Sequence, residues 1–157
     1  MKHFFLSIAA ATALASPIAA GDLAPRKGWQ VFPTEKSYPE LIEAVKEAAT
    51  ANGMGVVTEA GPTEAAAGRG ITIPGNRVIG VFNNDFAVKI LDLSTAAMIE
   101  APIRFYVTEN EDGTAMLSYK MPSSVFAPYI PEAGTGLTGL ASELDVKFAA
   151  IARDAIK

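Results

Sequence analysis

The chain has 157 residues, half of them apolar and 19% charged, a composition that folds and fills one domain but is too short for two of ordinary size. Its 17 acidic residues outnumber 13 basic ones, for a net charge of −4, whereas a nucleic-acid or anionic-membrane surface calls for the opposite sign. There is no cysteine, which excludes disulfide scaffolds, Cys-ligated zinc and cysteine nucleophiles.

The first twenty residues, MKHFFLSIAAATALASPIAA, begin with basic Lys2, run apolar from Phe4 to about Ala15, and end on the small residues Ala19 and Ala20. This pattern predicts a secretory signal peptide over 1–20, cut after Ala20 or, as a second choice, after Ala15. The apolar run is shorter than the roughly 20 residues that a bilayer needs, so stable membrane insertion is not expected. The expected location is periplasmic or secreted. Cleavage would remove His3, the one histidine, together with Lys2, leaving 12 basic against 17 acidic residues and a net charge of −5. Without His or Cys, a Ser-His-Asp triad and a His- or Cys-held haem are excluded as well, and no cofactor or metal is expected.

Residues 21–27 read as a patternless lead, and 28–157 as one domain. GWQVFPTEK is a first strand with Trp29 and Val31 on one side. SYPELIEAVKEAATANG carries the best helix signals, with Ser37 and Glu40 at capping-box spacing, Pro39 in the first turn and Gly53 past the end. Leu41, Ile42, Val45, Ala48 and Ala49 form its apolar stripe, which a sheet would cover. MGVVTEA is a second strand, and GPTEAAAGRGITIPGN a connection with at most a turn of helix. RVIGVF is apolar on both parities, the mark of a buried central strand. Beyond it Phe86, Ile90, Leu93 and Ala97 recur at helical spacing, with Asn83 or Asn84 as the N-cap.

PIRFYVTE and TAMLSYKM are two further strands whose register follows from their patterning. Ile103, Phe105 and Val107 meet Ala115, Leu117, Tyr119 and Met121 on one face only if opposed positions have an even sum. A three-residue loop, Glu111-Asp112-Gly113, gives that register and places glycine at the left-handed position. Phe105 then opposes Tyr119 and Ile103 opposes Met121. On the other face Tyr106 opposes Ser118, and Arg104 opposes Lys120. Like charges so placed are mildly destabilising unless something negative lies nearby, which asks for a ligand, a partner or a neighbouring acid.

The tail LTGLASELDVKFAAIARDAIK places Leu140, Leu144, Phe148, Ile151 and Ala155 on one helical stripe, with Thr138 as cap and a Glu143–Lys147 surface pair. Its lead, GTGLTG (134–139), matches a dinucleotide-binding pattern, but Pro128 and Pro131 interrupt the segment where a feeding strand is required and no second βαβ unit can follow. It reads as a flexible lead into the helix. Met54, Met98, Met116 and Met121 lack the close spacing of a soft-metal site and read as packing residues. Glu109, Glu111 and Asp112 read as a solvated hairpin tip rather than a calcium site.

With these residues in hand, IGVFNNDFAVKIL and EAPIRFYVTENEDGTAMLSYKMP resemble the bacterial and archaeal domain of unknown function 302 family. The resemblance spans roughly Trp29 to Pro131, with the last helix a looser continuation. Asn83 matches the family's asparagine, with Asn84 where proline is usual. Pro102 and Arg104 match its Pro-x-basic step, and Gly113, Tyr119 and Pro122 its hairpin and exit. Ile103 stands where some members carry cysteine, and the histidine that some carry beyond the last strand is missing, so a redox or metal role would not transfer. The resemblance implies a compact α+β fold and no assigned activity.

The expectation is a single α+β domain, helices packed on a mostly antiparallel sheet, in the order β-α-β-β-α-β-β-α. Asn83, Asn84, Arg104, Tyr106 and Lys120 are the candidate ligand-binding residues, because a helix N-terminus and a cationic strand pair both favour negative charge. The leading expectation is a binding or accessory domain for a small anionic ligand or a protein partner. The alternatives are a hydrolase or lyase working through carboxylate or tyrosine, and a self-associating domain that uses the Arg104 face as a homodimer contact.

Overall fold

A computed structural model describes residues 23–157; the expected signal segment and the first two residues of the lead lie outside the described residues. Five strands form one antiparallel sheet: β1 (Trp29–Ser37), β2 (Gly55–Ala60), β3 (Asn76–Phe82), β4 (Ile103–Glu109) and β5 (Thr114–Lys120), in the order β1-β5-β4-β3-β2. The helices are α1 (Tyr38–Ala51), α2 (Thr63–Ala67), α3 (Asn84–Leu93), α4 (Pro122–Phe126) and α5 (Ile130–Ala155). Leaving aside the short α2 and α4, this is the order read from the sequence.

Helix α1 starts as its capping box dictates, with the Glu40 carboxylate accepting from Ser37 N–H at 2.9 Å and Ser37 Oγ–H at 2.6 Å. Its five predicted stripe residues are the ones buried. Helix α3 is capped by Asn83, whose Oδ1 accepts from the N–H groups of Asp85 and Phe86. It ends at Leu93, earlier than the apolar period suggests, and Ala97 belongs to a separate 3₁₀ turn, Ala96–Glu100. Ser94 explains the break: its extended backbone leaves the helix, and its Oγ accepts from Ala97 N–H to open the new turn.

Helix α5 begins at Ile130, so Thr138 lies inside it and is not its cap. The prolines read as interruptions occupy helical turns, Pro131 in the first turn of α5, where its missing N–H has no helical partner to lose. The departure from helix is at Gly134 instead, where φ of 68° and ψ of −159° is a glycine conformation. Lys147 donates to the Asn52 carbonyl at the end of α1 rather than pairing with Glu143.

The hairpin register is the one that the patterning predicts: Phe105 pairs with Tyr119, Tyr106 with Ser118 and Val107 with Leu117. Asn110 N–H donates to Thr114 O across the three-residue loop, and Gly113 has φ of 85°. Alternation then sends Phe105, Val107, Ala115, Leu117 and Tyr119 into the layer of α1 and α5, all buried. Phe148 of α5 stacks on Phe105 at 4.6 Å between centroids and meets Tyr119 at 5.5 Å. β3 is interior, as its apolar character suggested, but β4 is the middle strand and only one face of β3 meets the helices.

Phe148 is fully buried at the contact of sheet and helix. Phe148→Ala is expected to cost about 3–5 kcal/mol, read as a lowered urea midpoint. A loss under about 1 kcal/mol would contradict this core assignment.

Candidate functional site

Among the described residues no long helix packs across the sheet's other face; the short α4 reaches only its margin, through Val125. The registers place three cross-strand rows on it: Trp29, Lys120, Arg104, Gly80 and Thr58; then Val31, Ser118, Tyr106, Val78 and Ala60; then Pro33, Met116, Thr108 and Asn76. None of these residues is acidic, in a chain whose acids outnumber its bases.

A cavity of about 410 Å³ opens on this face, lined by Trp29, Val78, Arg104, Tyr106 and Lys120, with Asn76 at one end and Val125 of α4 at another. Continuing the hairpin register by one residue sets Arg104 across from Lys120, and both are exposed. Among the described residues no carboxylate lies within 4.0 Å of either cation. The neighbouring acid that would have accounted for the pair is absent there. Lys120 Nζ sits 5.7 Å from the Trp29 ring centroid, and the Arg26 guanidinium lies 5.2 Å from the same ring, both within cation–π range.

Each part of this arrangement has a local cause. Gly80 lacks a side chain where a Cβ would lie 2.9 Å from Pro102 Cγ and 2.1 Å from Thr58 Oγ1, so the row beside Arg104 closes tightly on that flank. Tyr106 Oη accepts a hydrogen bond from Asn76 Nδ2, which fixes the phenol and leaves its hydrogen free to donate. Ser118, fully buried on the same face, has no hydrogen-bond partner for its Oγ.

Three of the five sequence-predicted residues, Arg104, Tyr106 and Lys120, therefore come together. Asn83 does not join them: its side chain is used by the cap and by Gly53 O, and it borders a separate small cleft with Phe86 and Ile90. Asn84 is exposed in the first turn of α3 and lines neither cavity. Sequence reasoning missed Trp29, Asn76 and Val78, which reach the cavity through pairings of β1 with β5 and β3 with β4. The one available signal was Trp29, placed on the same strand side as Val31. Among the described residues no cluster of three or more acids suits a metal ion, and no helix is long and apolar enough to cross a membrane.

Fold and cavity together define an α+β protein with helices on one sheet face and a cation-bearing cavity on the other. The chain belongs to the domain of unknown function DUF302 family, matched over residues 30–155, so the match takes in the last helix as well. A crystal structure of an uncharacterised conserved DUF302 protein from Bacillus stearothermophilus is similar in fold, with a TM-score of 0.72 and 19% identity. The similarity covers 84% of this chain and 100% of that one. None of the curated proteins matches the chain.

Tyr119 touches the cavity while its ring sits in the aromatic cluster, and burial, helped by Asp145, pushes its phenol up to about 12. Because the folded value lies above the ordinary 10.0, this contribution to stability is complete below pH 10 and is lost as pH rises towards 12. Unfolding midpoints measured between pH 9 and 12 should fall more steeply for the wild type than for Tyr119→Phe. Parallel curves would remove the buried phenol as the cause.

Proposed function

We propose that this chain is an exported, non-catalytic binding domain that holds a small anionic ligand on the open face of its sheet. The observation that carries this reading is the pairing of Arg104 with Lys120 across interior strands, with no acid within reach among the described residues. Two cations held side by side repel each other, and an anion bound between them converts that repulsion into attraction. Tyr106 supplies a neutral hydrogen-bonding group, its hydroxyl held by Asn76 further along the face, and Trp29 and Val78 the apolar wall that most small-molecule sites need. A volume of about 410 Å³ is at the small end of such sites.

A general-base role for Tyr119 is disfavoured, since a phenol held protonated up to about 12 does not accept a proton near neutrality. Export rests on the charge and apolar pattern of residues 1–20.

The test is a thermal-shift screen of inorganic and organic anions against the wild type and Arg104→Ala. Some anion is expected to raise the wild-type Tm in a concentration-dependent way, and the variant should lose most of that response while keeping its ligand-free stability within about 0.5 kcal/mol of the wild type, as exposed surface changes do. If the variant responds to every anion as the wild type does, the site is not at Arg104.

A further inference from the structure

The open-face site also limits the chemical class of its ligand. We infer that it takes an amphipathic monocarboxylate: one planar carboxylate seated between Arg104 and Lys120, with an apolar body along Val78 and the Trp29 wall. This rests on the anion-binding reading above and narrows it.

The donor set supports one carboxylate over a phosphate or a polyphosphate. Phosphate sites draw on free backbone N–H groups at helix N-termini or glycine-rich turns. Here β4 and β5 each have a strand on both sides, so the sheet ladder consumes their N–H groups beneath the cavity. The nearest helix N-terminus considered from the sequence, that of α3, is capped by Asn83 and opens on a different cleft. What remains among the residues that line the cavity is one guanidinium fork and one ammonium. A fork matches the two oxygens of a carboxylate, whose single charge the guanidinium balances, and the Lys120 ammonium adds a further donor to one of those oxygens.

The rest of the lining argues for an attached body. Trp29, Val78 and Val125 offer apolar surface next to the cations, which a bare inorganic ion would leave in contact with water. Both cations lie in one row of the sheet, while Asn76 lies four residues along β3 from Gly80 in that row, about 13 Å away at strand rise. The charge is thus confined to one end of the cavity. Along the intervening length stands Val78, with the Tyr106 hydroxyl held by Asn76 beyond it. A ligand with charge at both ends would lack a cation at the second.

Isothermal titration of the full domain with acetate, octanoate, octanamide and inorganic phosphate tests this, alongside Arg104→Gln and Lys120→Gln. Octanoate is expected to bind at least about tenfold more tightly than acetate, the gain from burying two methylene groups. Octanamide should bind about tenfold or more weakly than octanoate, and each Gln variant should bring octanoate to the level of octanamide. Octanoate and octanamide binding alike would overturn the carboxylate. Phosphate binding as tightly as octanoate, with acetate equal to octanoate, would overturn the amphipathic class while leaving an anion site at Arg104. Silence from all four probes would overturn the monocarboxylate, and the anion screen with Arg104→Ala then decides the anion site separately. A dimer broken by Arg104→Glu and indifferent to octanoate would assign the face to a second copy and overturn the carboxylate as well.

Discussion

The pairing of Phe105 with Tyr119 decides the rest of this molecule. Side chains alternate along a strand, so one register assigns every residue of β4 and β5 to a face. With Phe105 and Tyr119 turned towards Phe148 of α5, the aromatic cluster closes and Arg104 and Lys120 must point the other way. A slip of one residue would bring a cation into the helix layer, where an unpaired charge is far more costly than any lost contact. Gly113 holds the register in place, because its positive φ lets three residues close the hairpin where two would invert the pattern.

From this follows a sheet with two different faces. The helix side is dry and fully committed to packing, with Val107, Leu117 and Phe105 inaccessible to solvent. The open side is made of mixed residues, half-buried Trp29, Val31, Val78 and Tyr106 beside exposed cations. Because the interior strands have no free N–H to offer, recognition on this face must come from side chains. That makes the identity of a few residues, rather than a backbone cradle, the determinant of what can bind.

Much of the fold was legible because its signals are local. The capping box at Ser37 and Glu40, the stripe of α1 and the hairpin register each depend on residues close in sequence. The failures are also physical. Ala97 kept the helical period beyond Leu93, yet Ser94 redirected the chain, since a side-chain oxygen that can cap a new turn competes with continuing the old one. Pro128 and Pro131 looked like breakers when they sit in or beside first turns, and the bend fell on Gly134. The site was half legible. Arg104, Tyr106 and Lys120 follow from one hairpin, whereas Trp29, Asn76 and Val78 arrive through the sheet order β1-β5-β4-β3-β2, a non-local fact that no local pattern encodes. Asn83 and Asn84 were joined to the cations by chemistry alone, and the cap had already used Asn83.

The open-face cations stand out against how this chain treats charge elsewhere. Lys46 of α1 contacts both Glu43 and Glu59 at 3.1 Å, and Arg77 of β3 contacts Glu59 and Glu64, so one network ties α1, β2, α2 and β3 together. Arg77 and Arg104 lie on adjacent strands, and the register sends them to opposite faces: Arg77 opposes buried Val107, while Arg104 opposes Gly80. The first is surrounded by acids, the second by none among the described residues. An acidic chain has carboxylates to spare for neutralising a cation pair that serves only the fold. Leaving Arg104 and Lys120 side by side, with no carboxylate within 4.0 Å among the described residues, costs a few tenths of a kcal/mol up to about 1 in repulsion. That cost makes physical sense if negative charge is delivered to the face from outside the chain.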